Sequence, residues 1–234
     1  MQQYFAKSRQ LDLHDSDIYH IKKVMRMKKG DLIKVVYDNT IYTCELLDLS
    51  DSLHYKVINS EVKSKNSYTI TVAFSLIKEQ RLDYLLQKST EVGADCFIPL
   101  NTKNSVVKID NKKMENKLLR WEKILKEASE QSNRCDIPVI REVSNIKELV
   151  KEDFDFKFLC SLNKNTKSIK KVLQNCPNCA RILLVVGPEG GFDPLEEEFL
   201  MKNNFISVTL GRNVLRAETA PVVAISMINY ELMR

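Results

Sequence analysis

From Thr69 onward, short apolar runs alternate with amphipathic stretches, and this alternation limits the fold more than any other feature of the sequence. Five runs have the length and composition of buried strands: TITVAFSL, CFIPL, FKFLCSL, RILLVVG and FISVTLG. Four helical stretches lie between or after them: EQRLDYLLQKSTEV, MENKLLRWEKILKEASEQ, LEEEFLMKN and VVAISMINYELMR. Strands that alternate with helices are typical of α/β folds with parallel strands. The sequence therefore predicts an α/β domain with a mostly parallel sheet over residues 69–234.

The first 68 residues have a different pattern. HIKKVMRM has the period of a helix, and KKGD is a turn. LIKVVYDNTIYTCELLDL predicts two strands joined at Tyr-Asp-Asn-Thr, and HYKVINSEV predicts another strand. The polar stretch KSKNSY has no periodicity and reads as a linker. We therefore predict a small β domain over residues 1–68, followed by the α/β domain.

The composition is that of an ordinary globular protein, with 44% hydrophobic and 29% charged residues. No apolar run reaches the roughly 20 residues of a membrane-spanning helix, and MQQYFAKSRQ lacks the apolar segment of a signal peptide. We therefore expect a cytoplasmic protein that does not bind a membrane. Cys176 and Cys179 form a lone CxxC pair without the two further ligands of a structural zinc site, so a plain loop is favoured and no metal is expected.

The net charge of +5 is too small to identify a nucleic-acid-binding protein, but the distribution of charge is more informative. HIKKVMRMKKG, residues 20–30, contains five basic residues and no acidic one. This segment predicts a local positive patch suited to nucleic acid. A solvated helix face is the alternative.

The stretch RILLVVGPEGGFDPLEEEFL, residues 181–200, joins a buried strand to a helix through a glycine turn, which is a usual place for a nucleotide phosphate. Its residues argue against a phosphate. The P-loop pattern is absent, and the glycine spacing does not fit GxGxxG. The helix is predicted to begin with a capping box formed by Asp193 and Glu196, with further glutamates in its first turn. We expect a ligand without phosphate, or else a plain strand–helix connection.

A second glycine junction, SVTLGRNVLRAETAPVVAIS, follows about twenty residues later. The loop between its strand and the last helix, predicted to start near Pro221, contains Arg212, Arg216, Glu218 and Thr219, which are polar functional types. Ligands of open α/β sheets bind at the carboxyl ends of the strands. Two such loops therefore predict one ligand site, in which the ligand is recognised mainly through backbone hydrogen bonds.

The α/β domain contains no histidine, because His14, His20 and His54 all precede it. A Ser-His-Asp site or a histidine-rich metal site is therefore not expected there, and acid–base chemistry falls to Glu, Asp, Lys, Tyr or water. The last helix is apolar almost all round, which predicts burial on more than one side. Packing against a partner subunit and burial as a terminal core helix both satisfy this pattern.

GPEGGF and LGRNVLRAETA together resemble the paired C-terminal motifs of the RsmE family, which are small-subunit ribosomal RNA uridine-N3 methyltransferases of the knotted SPOUT class. HIKKVMRMKKGD resembles the family pattern HxxxVLRxxxGD, and QKSTEVGAD and EQSNR resemble QK-x-TELG and EQSGR. The motifs follow the family's order over nearly the whole chain. Met25 and Val92 replace leucines, and Asn133 stands where glycine is usual, which puts the turn before Arg134 in question.

The resemblance implies a PUA-like β-barrel domain over residues 1–68, a SPOUT methyltransferase domain with a deep trefoil knot over residues 69–234, and a homodimer. It also implies S-adenosylmethionine as the methyl donor. This donor is a sulfonium cation without phosphate, which suits an unneutralised Glu189 and a capped helix. The residues that the resemblance assigns to donor binding are Leu162, Gly187, Pro188, Glu189, Gly190, Leu210, Gly211, Val214, Leu215, Arg216, Thr219 and Ala220.

Uracil N3 is nucleophilic only when it is deprotonated. We therefore expect Arg134 and Arg216 to stabilise the uracil anion and Glu218 to accept the proton. A loop ion pair with an arginine is the alternative role for Glu218, and one hypothesis has Arg134 act in the partner subunit's pocket. The residues expected to contact RNA phosphates are Lys22, Lys23, Arg26, Lys28 and Lys29.

The resemblance implies 16S ribosomal RNA in the small ribosomal subunit as the substrate. Two other functions remain open at this stage. One is a SPOUT methyltransferase that acts on another RNA. The other is a non-catalytic RNA-binding factor for ribosome assembly, although such a factor would not need to retain donor-pocket motifs.

Overall fold

The computed structural model describes residues 1–50, 52–105, 107, 111–163, 166–177 and 180–233. It divides the chain into two compact units. The first consists of Met1–Lys65 together with Ser129–Ile137, and the second of Asn66–Ala128 together with Pro138–Arg234. No helix within the described ranges is both long enough and apolar enough to cross a membrane.

The first unit is built on a four-stranded sheet, in which β1 is parallel to β2 and the other neighbours are antiparallel. Its elements are β1 (Gln3–Phe5), α1 (Asp15–Tyr19), β2 (Leu32–Tyr37), β3 (Thr40–Asp48) and β4 (His54–Val62). The predicted turn between β2 and β3 is confirmed. Asp38 and Asn39 both have positive φ, as the two central residues of a type I′ hairpin turn require.

The helix predicted over HIKKVMRM is shorter than expected. α1 continues into a single π-helical segment, His20–Val24, in which the Met25 N–H donates to the His20 carbonyl at 2.8 Å. The chain then leaves the helix, since Arg26 has a left-handed φ of 50°. The basic residues that follow therefore lie on a turn, and the sequence period does not reveal this change of backbone.

The segment Ser129–Ile137 packs with the first unit, a return that the single predicted boundary near residue 68 does not include. Gln3 donates from Nε2 to the Arg134 carbonyl at 2.6 Å, and Lys34 donates from Nζ to Asn133 Oδ1 at 2.8 Å. Asn133 takes the φ of 56° that glycine adopts readily and that asparagine tolerates. Asn133 therefore keeps the left-handed turn before Arg134 that glycine would also allow.

The second unit has an eight-stranded sheet whose described strand pairs are all parallel. The spatial order of its main path is β10-β12-β9-β11-β5-β6-β7, and β8 pairs with β6. Its elements are β5 (Thr69–Ser75), α2 (Glu79–Glu91), β6 (Cys96–Asn101), α3 (Asn111–Gln131), β7 (Val139–Ile140), β8 (Ser144–Asn145), α4 (Ile146–Leu149), β9 (Phe156–Cys160), β10 (Lys167–Ser168), α5 (Ile169–Leu173), β11 (Arg181–Val186), α6 (Pro194–Lys202), β12 (Ile206–Thr209) and α7 (Thr219–Leu232). The α/β fold with a mostly parallel sheet is confirmed. The trefoil knot stays a prediction.

The central strands are buried on both faces, which explains their continuous apolar runs. In β11, Ile182 and Leu184 join the core on one face of the sheet, while Leu183 and Val185 join the core on the other. These side chains are fully buried. The sheet therefore holds its carboxyl ends in a rigid frame on which loops can be placed.

The last helix, α7, is buried along one side against its own unit through Ala224, Ile225 and Ile228. Tyr230 is 87% exposed, so the helix is less completely covered than its sequence predicts. Burial as a core helix is thus confirmed for one face. Packing against a partner subunit stays a prediction.

Candidate functional site

A cavity of about 670 Å³ lies at the carboxyl ends of β9, β11 and β12, three neighbouring strands of the parallel sheet. The loops that follow these strands form its walls, and Arg81 from the first turn of α2 completes the lining. All the lining residues belong to the second unit. We call this the donor cavity, after the ligand that the sequence predicts for it.

The structure brings together all the predicted donor-binding residues except Thr219. Those that line the donor cavity are Leu162, Gly187, Pro188, Glu189, Gly190, Leu210, Gly211, Val214, Leu215, Arg216 and Ala220. Thr219 instead starts α7, where its N–H donates to the Arg216 carbonyl at 3.0 Å. The two glycine junctions thus meet at one site, because their strands have β9 as a common neighbour.

The turn after β11 depends on close approach at Gly187. A Cβ at Gly187 would lie 3.0 Å from the Phe192 ring, which itself lines the cavity. At Gly190 and Gly191 a Cβ would meet nothing within 4 Å, so the backbone there faces open space. This wall therefore presents backbone rather than side chains to a ligand.

The capping box at the start of α6 is confirmed. Asp193 accepts from the Leu195 N–H at 3.0 Å, and Glu196 accepts from the Asp193 N–H at 3.3 Å. Lys103 also pairs with Asp193 at 2.5 Å, and this contact lowers the pKa of the Asp193 carboxyl below its usual value. The helix N-terminus is thus occupied by carboxylates of the chain itself, which disfavours an added phosphate.

The expectation of an unneutralised Glu189 is wrong. Arg81 donates from Nη1 to Glu189 Oε1 at 2.9 Å, and its Nε lies 3.9 Å from Glu218 Oε1. Arg81 thereby connects the turn after β11 with the loop after β12. Sequence reasoning missed Arg81, although its place just beyond the carboxyl end of β5 is a usual position for a site residue.

Glu218 is 7% exposed and lies next to two arginines rather than at the cavity surface. Its Oε1 is 3.9 Å from Arg216 Nη1 and the same distance from Arg81 Nε. Its Oε2 is buried without a hydrogen-bond partner in the part of the chain that the structure describes. The ion-pair alternative raised from the sequence is therefore present, and one carboxylate oxygen keeps its hydrogen-bonding capacity.

Glu197 is the second residue that sequence reasoning missed as a lining residue. It projects from the first turn of α6 into the donor cavity, and its Oε1 is buried without a hydrogen-bond partner among the described residues. A buried carboxylate oxygen left unpaired is costly unless a ligand completes it. Its position in the first helical turn after a glycine turn was the sequence signal that could have indicated a cavity-lining residue.

β9 and the loop after it also contribute residues that the motifs did not indicate. Cys160 and Ser161, together with Asn163, line the cavity beside the predicted Leu162. Burial raises the pKa of the Cys160 thiol to about 12, so this thiol stays protonated near neutral pH. We therefore assign Cys160 to the cavity wall and not to nucleophilic chemistry.

Arg134 does not line the donor cavity. It belongs to the first unit, where Nη2 is 3.2 Å from Asp136 Oδ1 and the side chain is 12% exposed. Its assignment as a catalytic residue stays a prediction that rests on the resemblance.

The five predicted RNA-binding residues also lie in the first unit: Lys22 and Lys23 in the π-helical segment, and Arg26, Lys28 and Lys29 in the turn that follows it. Lys23, Arg26, Lys28 and Lys29 are exposed. Lys22 is half-buried and donates from Nζ to the Ser50 carbonyl at 3.2 Å. The segment therefore presents a positive surface, as the sequence predicts.

Among the described residues, no group of three or more His, Cys, Asp or Glu is arranged to hold a metal ion. Cys176 is buried in the main core of the second unit. Cys179 lies outside the described residues.

Comparison with known proteins identifies the family. The model of the RNA methyltransferase domain matches residues 64–229, and the model of the RNA methyltransferase PUA domain matches residues 13–57. Ribosomal RNA small subunit methyltransferase E of Bacillus subtilis is 35% identical to the chain over 258 residues, covering 100% of this chain and 99% of that protein. The chain belongs to the RsmE family. It is therefore an RNA methyltransferase with an N-terminal PUA-like domain.

Two solved structures are similar to this RsmE chain over nearly its full length. A Legionella pneumophila methyltransferase in complex with the cofactor S-adenosylmethionine is 26% identical, with a TM-score of 0.89, and the match covers 98% of this chain and 97% of that one. Ribosomal RNA small subunit methyltransferase E of Neisseria gonorrhoeae, bound to S-adenosylmethionine, is 25% identical, with a TM-score of 0.85 and the same coverage.

Proposed function

We propose that this RsmE chain transfers a methyl group from S-adenosylmethionine to N3 of a uridine in 16S ribosomal RNA of the small ribosomal subunit. The observation that carries the proposal is the donor cavity, where both predicted glycine loops meet at the carboxyl ends of parallel strands. Named relatives support a small-subunit ribosomal RNA as the substrate. The choice of the uridine N3 atom rests on the family resemblance of the motifs.

The donor cavity fits S-adenosylmethionine in size and in chemistry. Its volume of about 670 Å³ is in the ordinary range for a site that encloses a small molecule. The open backbone at Gly190 can donate to and accept from a ligand, and the buried Oε1 of Glu197 offers an acceptor for an ammonium or hydroxyl group. A phosphate ligand would favour a lysine in the cavity wall, and no lysine lines the cavity among the described residues.

When bound, S-adenosylmethionine supplies an electrophilic methyl group. Methyl transfer also needs a uracil anion, whose charge the chain must stabilise. Arg216 lies in the cavity wall with a side chain 76% exposed, so its guanidinium, although paired with Glu218 at 3.9 Å, can extend toward the uracil oxygens. We propose that Arg134 adds a second positive charge there.

We propose that Glu218 accepts the N3 proton through its Oε2, which is buried in the structure and must become accessible when RNA binds. The ion pairs that Glu218 makes with Arg81 and Arg216 give it an alternative, purely structural role. Glu218→Gln distinguishes the two roles, because it keeps the shape of the side chain. A proton acceptor predicts a large loss of kcat with donor affinity retained, whereas a structural role predicts that both fall together.

We propose that the chain works as a homodimer and that Arg134 serves the donor cavity of the partner subunit. The test is complementation between two inactive variants. A mixture of Arg134→Ala subunits with Gly187→Trp subunits, whose own donor cavity is blocked, should recover part of the wild-type activity. A mixture that stays inactive although heterodimers form would contradict sharing.

We propose that the π-helical segment after α1 and the turn that follows it bind the RNA backbone without reading its sequence, through Lys22, Lys23, Arg26, Lys28 and Lys29. Replacing the last two, Lys28→Gln and Lys29→Gln, should weaken RNA binding and reduce its dependence on salt. An unchanged salt dependence would remove this segment from the interface.

The decisive experiment supplies labelled S-adenosylmethionine together with small subunits, naked small-subunit ribosomal RNA or transfer RNA, and then maps the labelled nucleoside. We expect N3-methyluridine in ribosomal RNA. Label in transfer RNA, or on another atom, would replace the proposed substrate. Donor binding without methyl transfer to any RNA would favour an assembly factor.

A further inference from the structure

A second concavity of the methyltransferase unit lies beside the donor cavity and has no role in the function proposed so far. It is an open groove of about 520 Å³ at the β10 edge of the parallel sheet. Its lining residues are Phe156, Thr166, Lys167, Ser168, Lys171, Val172, Asn175 and Ile206, and we call it the lysine groove. Thr166 lines the donor cavity as well, so the groove and the cavity adjoin.

The groove combines an apolar floor with a basic rim. Its floor is formed by Phe156 and Ile206, from the first residues of β9 and β12, with Val172 from α5. Its rim carries the exposed side chains of Lys167 and Lys171. None of the residues that line it is acidic. Aromatic and apolar surface next to free positive charge is the combination with which proteins hold single-stranded nucleic acid.

The sequence around the groove is depleted of negative charge over a long distance. Residues 156–188 include six basic residues and no aspartate or glutamate, in a chain that has 31 acidic residues in total. Two of the six are otherwise engaged: Lys157 donates to the Val150 carbonyl at 3.3 Å, and Arg181 pairs with Asp153 at 2.9 Å. Asp155, directly before Phe156, is itself paired with Arg181 at 3.3 Å, so the lysines at the groove keep a local positive field.

We propose that the lysine groove binds the backbone of the substrate RNA next to the nucleotide that enters the donor cavity. Lys167 and Lys171 each contact a phosphate, and the apolar floor, at the amino ends of β9 and β12, receives a nucleotide farther along the RNA strand. This inference rests on the proposed function and extends it, because it gives the methyltransferase unit its own RNA contact in addition to that of the first unit. Lysines at an edge strand also discourage pairing with other sheets, so the experiment must distinguish this simpler role.

The test compares two double variants that lose the same charge. Lys167→Gln with Lys171→Gln removes the rim of the groove. Lys151→Gln with Lys170→Gln is the matched control, since both lysines are exposed in the same unit and neither lines the groove. Binding of naked small-subunit ribosomal RNA is measured over a series of KCl concentrations, together with donor affinity, kcat and the KM for RNA.

For the rim variant we expect the slope of log Kd against log salt to decrease by about 1.4, since each lost phosphate contact on a single strand contributes about 0.7. The KM for RNA should rise about tenfold, while kcat and donor affinity stay at wild-type values. The control should keep the wild-type slope. A rim variant with the wild-type slope, or a control with an equal decrease, would overturn the proposal.

The outcomes also separate this inference from the proposed function. If the wild type methylates ribosomal RNA and the rim variant binds it normally, the groove has another role and the function stands. If the wild type binds RNA through the groove but methylates none, the proposed function fails alone. Competition by polyglutamate that depends on the two rim lysines, with an unchanged RNA slope, would assign the groove to an acidic protein segment.

Discussion

Arg81 holds the two walls of the donor cavity together, and its removal should weaken donor binding about tenfold. The guanidinium contacts Glu189 at 2.9 Å on the turn after β11 and approaches Glu218 to 3.9 Å on the loop after β12. In Arg81→Met both carboxylates lose this partner, and the walls are no longer connected. The free energy needed to bring them to their bound spacing must then come from the donor itself.

The expected loss of donor affinity follows from how exposed the ion pairs of Arg81 are. Two unit charges 3.9 Å apart interact by about 4 kcal/mol at an effective dielectric constant near 20. The Arg81 side chain is 38% exposed, however, and ion pairs of this kind contribute at most about 1 kcal/mol when measured. The buried Glu218, with a side chain 9% exposed, adds to this value. A total of about 1.4 kcal/mol corresponds to the tenfold change in Kd.

The assay is calorimetric titration with S-adenosylmethionine, and Arg120→Met is the matched control. Arg120 also pairs with two carboxylates, Glu79 and Asp83, and its side chain is 41% exposed, but it does not line the cavity. We expect the control to bind the donor as the wild type does. Equal affinity of Arg81→Met and the wild type, with only a lower Tm, would refute the reasoning and leave Arg81 a stabilising role alone.

Three further changes test other features of the structure. Glu197→Gln keeps the size of the side chain but removes its charge, so donor affinity should fall about tenfold in calorimetry while Tm holds; unchanged affinity would exclude a direct contact. Gly187→Ala places a Cβ 3.0 Å from the Phe192 ring and should lower the free energy of unfolding in urea by about 1–2 kcal/mol. Gly190→Ala, whose Cβ would meet nothing within 4 Å, should leave the free energy of unfolding unchanged. The hydrogen bond from the Arg141 guanidinium lowers the pKa of the Glu152 carboxyl below its ordinary value, so this pair stabilises the fold fully at neutral pH and ceases to do so as the pH falls through the lowered pKa. Arg141→Met should therefore reduce stability at neutral pH and flatten its dependence on pH in the acid range in unfolding titrations, and an unaltered acid profile would contradict the pairing.

The strands were predictable because burial on both faces leaves a continuous apolar run in the sequence. RILLVVG is such a run, and it forms β11 at the centre of the sheet. The capping box at Asp193 and Glu196 was predictable for a similar reason, since both partners lie within one turn of helix. Local patterns of this kind depend on neighbours in the sequence, and the structure bears them out.

The features that the sequence did not predict depend on residues far apart in the chain. Arg81 meets Glu189 across 108 positions, and Gln3 meets Arg134 across 131. Neither contact leaves a periodic signal, because each needs one side chain of the right charge or shape at the right place in space. The sequence motifs predicted that the two glycine loops form one site, but the contact of Arg81 with Glu189 could be seen only in the structure.

The charges around the donor cavity are divided in the way that the proposed reaction requires. Because Arg81 neutralises Glu189, the described carboxylate that keeps an unpartnered oxygen on the wall formed by the turn after β11 and by α6 is that of Glu197. The opposite wall, the loop after β12, carries Arg212 and Arg216 with exposed side chains. A cationic donor is favoured near the first wall and an anionic uracil near the second. A phosphate ligand would need the reverse at the helix start, where α6 presents carboxylates, so the same glycine turn that invites a nucleotide reading supports a sulfonium donor.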